Sequence, residues 1–398
     1  MMVTHVPLGH ISKFVRGVTY KPADLIDNFS ENSIVCMRTA NIQEELDEND
    51  LKSIKSSVVK SNDKYLLEGD ILVSTANSWN LVGKCCWVKK LNYPAVPGGF
   101  IAALRVDKSK ADPRYVYHWF NSKKTQELAR NCGRQTTNIS NMDLNRCLSL
   151  ELPLPSLAEQ RRIAAILDKA EALRAKRREA IAKLDQLLQS MFLAMFGDPV
   201  KNSMGWSSST LDVHGELKNG INFLKDEVGV KLRYLGVGDF KNRTTFKDID
   251  NLSYISLNYN PSEDYLLKDH DILFVRSNGN KQLVGRCMAI FPGNEKITFS
   301  GFCIRFRCKS QLLLSSYLVH LFKNSAFKQE LLKSGQGANI QNINQKILST
   351  IKIPVPPITQ QVKWQEFVEK VESQKYLFEK NISLAEKLIS ALHKKFFN

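Results

Sequence analysis

The sequence predicts an α+β protein. Two similar β-rich domains are separated by two long helices that form an antiparallel coiled coil, with an internal pseudo-twofold repeat. Three observations carry this prediction. The chain matches itself once along most of its length, short β-branched and aromatic runs recur in each copy, and each copy closes on a long stretch with apolar residues seven apart. With 398 residues, 43% of them hydrophobic, there is enough material for two or three cored domains.

The repeat sets the boundaries. "LLEGDILVSTANSWNLVGKCCWV" in the first half answers "LLKDHDILFVRSNGNKQLVGRCMAI" in the second. Asp70 matches Asp271, Gly83 matches Gly285, and Gly99 and Phe100 match Gly301 and Phe302. His118 then matches His320, Gly133 matches Gly335, and "LPLPSLAEQ" matches "IPVPPITQQ". The offset stays at about 200 residues throughout, so one unit is used twice. The expected segments are a β-rich domain over 1–151, a long helix over 152–197, a second β-rich domain over 198–353 and a second long helix over 354–398.

Within each domain, runs such as "DILVST", "FIAALRV", "DILFVRS" and "FCIRFRC" lie between Gly, Asn, Asp and Pro, which reads as strands. One short amphipathic helix follows in each copy, over Arg114–Asn131 and Ser315–Ser334. A Pro-containing extended segment leads into the long helix. Ser156 and Glu159 have the spacing of a capping box, and Gly197-Asp198-Pro199 ends the first long helix.

Its seam is read as Ile163, Ala170, Arg177, Leu184 and Met191 with Ile166, Leu173, Ala180, Leu187 and Ala194. The second helix offers Trp364, Val371, Phe378, Ala385 and Leu392, with Phe367, Gln374, Asn381, Leu388 and Lys395 as a more polar companion row. Pro357 stands where the first helix has its capping serine. Some 40 residues make a rod of about 60 Å, and a short connection after Pro199 favours antiparallel pairing. The helices are thus expected to act as a spacer.

Charge points to what is spaced. Fifty-six Lys and Arg against 40 Asp and Glu give a formal charge of +16, which favours a polyanionic partner and double-stranded DNA in particular. Equivalent groove faces recur about every 34 Å along B-DNA, so two reading heads on one spacer can address two sites. Bases are read by side chains able to make paired hydrogen bonds. The segments that differ between copies while their flanks agree supply them. In the first copy these are Ser74, Asn77, Trp79 and Asn80, with Arg134, Gln135, Thr136 and Asn138. The second copy offers Arg276, Ser277, Asn278, Asn280 and Lys281, with Gln336, Asn339 and Gln341. Lys84 and Arg286 share one repeat position and are candidate phosphate contacts, as are Arg16, Arg38 and Arg233.

No catalytic centre is legible. There is no GxxxxGK[ST] loop, no GxGxxG opening a helix and no Asn-Pro-Pro-aromatic motif, and "GVGDF" at Gly236–Phe240 is too short a glycine pattern. Neither the seven histidines nor the eight cysteines show metal-ligand spacing, so no metal site is expected and the cysteines read as reduced core thiols of a cytoplasmic protein. No apolar run is long enough to cross a membrane, and the start has no export signal. Catalysis is therefore expected in a partner. The competing readings are a self-contained DNA-modifying enzyme, nuclease or methyltransferase, and a coiled-coil protein that binds DNA without sequence choice.

The block "LPLPSLAEQRRIAAILDKAEALRAKRREAIAKLDQLLQSMFLAMFGDPVKNSMGW" over Leu152–Trp206, the "GDIL" and "LVGK" segments from Gly69 and Leu81, and the repetition of both resemble the specificity subunit of type I restriction-modification systems. The resemblance covers essentially the whole chain. It implies two target recognition domains, each reading one half of a bipartite asymmetric site, with the helices fixing the gap. It implies docking of two methyltransferase subunits that use S-adenosyl-methionine, and two restriction subunits using ATP with Mg can join them. No cofactor is expected on this chain itself. The basic helix face carrying Arg161, Arg162, Arg174, Lys176, Arg177, Arg178 and Lys183 is open to methyltransferase, phosphate or solvent. The copies depart from one another at "ITQQV" against "LAEQRRI", which leaves the register of the second helix open.

Overall fold

A computed structural model of the chain describes residues 4–134, 139–224, 227–240, 243–333 and 342–397. Two compact units emerge, one of Met1–Arg178 with Glu379–Asn398 and one of Glu179–Phe378. The long helices run over Leu157–Phe196 and Ile358–Phe397. Instead of standing as separate segments, each helix is divided near its middle, and each unit takes half of both.

In the first unit, Ile71–Ser74 lies inside a four-stranded antiparallel sheet ordered Ser12–Arg16, Ile101–Val106, Ile71–Ser74, Cys85–Trp87. Alternate residues of this strand serve two cores. Ile71 and Val73 pack with Tyr115, Phe120 and Leu167, whereas Leu72 packs with Val35, Met37 and Ile101. The strand is apolar at successive positions because both of its faces are covered, helices on one side and a second sheet on the other. That sheet is ordered Leu25–Ile26, Ser53–Lys55, Ser33–Met37, Ala95–Pro97.

The second unit repeats the plan with Asp271–Val275 in a five-stranded sheet ordered Gly215–Asn219, Cys303–Cys308, Asp271–Val275, Cys287–Ile290, Thr245–Phe246. Ile272 and Phe274 face Tyr317 and Phe322, while Leu273 and Val275 face Phe246 and Phe299. Each such buried side chain contributes about 1.5–3 kcal/mol.

The single short helix expected in each copy is two. The first unit has Pro113–Phe120 and Lys123–Asn131, and the second has Ser315–Lys323 and Ser325–Lys333. A short polar side chain causes each break by capping the second helix: Ser122 Oγ accepts from Thr125 N at 3.3 Å, and Asn324 Oδ1 accepts from Phe327 N at 3.1 Å.

A repeated glutamine ties each long helix to its domain. Gln160 accepts from Asp112 N and donates to Pro155 O, both at 2.8 Å. Gln361 accepts from Leu314 N at 2.9 Å and donates to Leu312 O and Pro356 O at 2.8 Å. At the start of the first long helix, Glu159 N donates to Ser156 Oγ at 3.4 Å. The Glu159 carboxylate does not complete the expected box but turns to Arg162 at 2.6 and 2.7 Å. Gly197, at φ +77°, ends the helix.

Within each unit the helix halves run antiparallel. In the first, Ile163 clusters with Phe397 and Arg178 meets Glu386 at 3.2 Å. In the second, Trp364 packs edge-on to Phe196 and Lys375 meets Asp185 at 2.9 Å.

The covered stripe includes Ile163, Ala170, Trp364 and Val371, with Leu184, Met191, Phe367, Phe378 and Leu392 partly covered. Its companion row differs from the expectation by one residue. Leu173, Leu187 and Leu388 are exposed and Ile166 is half-buried, while Leu167, Leu188, Val368 and Ile389 are buried. The doublets Ile166-Leu167 and Leu187-Leu188 allow either row. The four-residue step wins because the domain, as well as the opposite helix, covers this face.

Candidate nucleic-acid interface

The two variable segments of each copy come together. In the first unit the strand Ala76–Asn77 pairs with Ser140–Met142, Asn77 opposite Ser140 and Ala76 opposite Asn141, and Gly133–Arg134 pairs on the other side. In the second unit Ser277 bridges to Asn342, and Ile343 N donates to Arg276 O at 2.9 Å. Segments about 60 residues apart in sequence therefore share one backbone-bonded edge, as a composite reading surface requires.

The repeated glycine of "LVGK" and "LVGR" shapes this edge. Gly83 and Gly285 adopt φ of +83° and +75°, where a side chain is strained. Their amides return to the central strand, Gly83 N to Ser74 O at 2.8 Å and Gly285 N to Val275 O at 2.9 Å. The neighbouring Lys84 and Arg286 are half-buried, and Lys84 Nζ donates to Gln43 Oε1 at 2.7 Å.

The side chains divide into framework and edge. Ser74 is buried, and its hydroxyl meets Asn77 Nδ2 at 3.4 Å, so it supports the loop instead of facing outward. Asn77 Oδ1 accepts from Ser78 N, and Asn278 Oδ1 accepts from Asn280 N, both at 2.8 Å. Arg276 is half-buried with Nη1 3.3 Å from Gly301 O, and Trp79 and Ser277 are also half-buried. Asn80 and Asn280 are exposed. Gln135, Thr136, Asn138, Gln336, Asn339 and Gln341 lie outside the described residues, as do the side chains of Arg134 and Lys281.

Among the phosphate candidates, Arg16 is exposed. Arg38 and Arg233 also have donors engaged within the chain. Arg38 binds both Asp50 Oδ2 and Asp50 O at 2.8 Å. Arg233 is mostly buried, donates to Ile249 O and lies 3.3 Å from Asp250 and 3.8 Å from Glu295. On the basic helix face, Arg178 pairs with Glu44, Arg174 lies 3.7 Å from the same carboxylate, and Arg162 is held by Glu159. These three are therefore ion-pair partners within the chain.

Two ion pairs hold the central strands. Asp70 meets Arg105, and Asp271 meets Arg307, each through the Nε and Nη2 edge of the guanidinium. The hydrogen bonds raise both arginine pKa values above the ordinary one. The recurrence of both partners at matched repeat positions is the signal that finds them.

His118 is fully buried, with Nε2 2.7 Å from Asp168 Oδ1 and Glu171 3.8 Å from Nδ1. This trio has the donor set for a cation, but Arg114 Nε already lies 2.6 Å from the same Asp168 oxygen. Burial pushes the Asp168 carboxyl up, and His118 and Arg114 more than offset it, leaving it below the usual range. The group therefore reads as a tie between helix 113–120 and the long helix. All eight cysteines are free thiols, and burial pushes Cys287 and Cys303 up to about 12. Among the described residues, no helix is long and apolar enough to cross a membrane.

The family model described as the type I restriction modification DNA specificity domain matches residues 6–183 and again 205–385. The chain belongs to the type I restriction-modification DNA specificity family. It carries two DNA specificity domains of that family, one per repeat. It is 26% identical to the type I restriction enzyme StySPI specificity subunit of Salmonella potsdam, over 97% of this chain and 85% of the relative. Identity to the EcoKI specificity subunit of Escherichia coli K12 is 23%, over 92% and 80%. The fold matches the crystal structure of a type I restriction-modification S subunit from M. genitalium with a TM-score of 0.58 and 16% identity, covering 100% of this chain and 96% of that one. A structure described in terms of complex assembly and conformational transition of the type I restriction-modification system matches with a TM-score of 0.55, 16% identity and coverage of 98% and 96%.

Proposed function

We propose that the chain is the DNA-reading scaffold of a type I restriction-modification complex, in which each unit reads one half of a bipartite, asymmetric site and the long helices fix the gap. The observation that carries this reading is the shared edge in each unit, where the two segments that diverge between copies are joined by backbone bonds. The chain positions the complex and leaves chemistry to its partners. Two methyltransferase subunits docked on the helical regions would use S-adenosyl-methionine to methylate an adenine in each half-site, and two restriction subunits would use ATP with Mg. The surplus of positive charge supplies phosphate attraction, and the divergent edges supply sequence choice.

The test is a map of methylated adenines in cells that express this chain with its methyltransferase subunit, against cells with the methyltransferase alone. A split motif with a fixed gap and two different halves, present only with this chain, is expected. Unchanged methylation, with both proteins soluble and associated, overturns the reading, and identical halves overturn its asymmetry.

A further inference from the structure

Phe100 and Phe302 occupy one repeat position and are 65% and 60% exposed, so the same large ring recurs in solvent at the same place in both copies. The backbone beneath them is fixed. Phe100 O accepts from Thr75 N and Ala76 N at 2.9 and 3.1 Å, and Phe302 O accepts from Arg276 N and Ser277 N at 2.8 and 3.4 Å. The backbone of each phenylalanine is therefore bonded to the first residues of the variable edge. The turn is closed from the other side as well, by Ile101 N to Gly98 O at 2.9 Å and Cys303 N to Ser300 O at 2.8 Å.

The segments next to these rings differ between the units, whereas the rings are the same. A shared side chain beside unshared readers suits a feature that both half-sites have in common. Under the function proposed above, on which this inference rests, that feature is the A·T pair whose adenine is methylated. Its thymine presents an apolar 5-methyl group in the major groove, a surface that a phenyl ring can cover.

We infer that Phe100 and Phe302 each pack on the 5-methyl group of the thymine paired with the target adenine, one ring per half-site. They are thus specificity residues that recognise the base pair to be modified, while Asn80, Asn280 and their neighbours distinguish the halves. DNA is the occupant because each exposed ring is carried by backbone bonded to the start of a variable segment.

The test uses the complex of the full chain with its methyltransferase subunits and a duplex bearing the mapped site. The target-pair thymine is replaced by deoxyuridine in one half at a time, which removes only the methyl group. Wild-type complex is expected to bind each uracil duplex about 3- to 10-fold more weakly. F100A and F302A are expected to lose at least as much on the thymine duplex, with unchanged melting, and each is expected to become indifferent to uracil in one half only. An undiminished uracil effect in both variants overturns the inference. So does an equal loss on random DNA, unchanged binding, or a loss confined to association with the methyltransferase. A wild-type complex that prefers no site is a different result and counts against the proposed function itself.

Discussion

Asp70 takes Nε of Arg105 on one carboxylate oxygen at 2.9 Å and Nη2 on the other at 2.7 Å, and is itself only 2% exposed. The same carboxylate accepts Leu67 N at 2.9 Å, so one side chain fixes the neighbouring strand and the turn entering its own. Asp271 does the same with Arg307 and Lys268 N. Asp70→Ala leaves Arg105, with 17% of its side chain exposed, without its counter-charge. A loss of about 3 kcal/mol is expected in urea denaturation. Lys89→Ala breaks a pair whose partners are 66% and 67% exposed and is expected to cost less than about 0.5 kcal/mol. Equal costs would contradict the structural ranking.

The helix seam is tested by neighbours. Leu188 is 4% exposed and Leu187 42%, so Leu188→Ala is expected to cost about 2–4 kcal/mol and Leu187→Ala within about 0.5 kcal/mol. The reverse order in denaturant midpoints would restore the seam read from the sequence.

His320 is packed against Trp364 at a ring separation of 4.9 Å, and burial pushes it down to about 4. An unfolded histidine titrates near 6.5. Between these values the unfolded chain binds a proton that the folded unit refuses, so stability falls as pH drops from about 6.5 towards 4, by up to about 3 kcal/mol. His320→Leu should flatten that part of the profile of midpoint against pH. An unchanged slope would assign it to other groups.

Independence of the two edges has a direct readout. Asn80→Ala is expected to relax preference at a position in one half of the methylated motif by about 10-fold and leave the other half intact. Asn280→Ala should do the converse. Loss of both halves from either change would mean that the edges do not read separately.

Much of this was legible in the residues because the chain carries two versions of one text. Divergence between matched flanks marked the segments around Asn77 and Asn138, and around Ser277 and Asn339. The described parts of these segments do meet in each unit. The helix register was not legible, because doublets such as Leu187-Leu188 satisfy either row until the covering domain is known. Nor was the fate of Arg38 and Arg233. A guanidinium looks the same in sequence whether it meets a phosphate or a nearby carboxylate, and only the fold brings Asp50 and Asp250 to these two. The break at Ser122 is not legible because the amphipathic period runs through it, while a single hydroxyl is enough to restart the helix.

The sharing of each long helix between units has a consequence for how the molecule is made. The second unit is contiguous, Glu179–Phe378, whereas the first needs Glu379–Asn398 to complete its helix pair. On a ribosome the first β-rich domain emerges first, yet its helical half cannot close until Glu379–Asn398 has been made. Closing a free loop of about 200 residues carries an entropic cost that grows slowly with length. The second unit removes that search: once Lys375 meets Asp185, the two strands of chain that leave it start side by side. The later-made unit acts as the clasp for the earlier one, so the order of synthesis and the order of closure run in opposite directions.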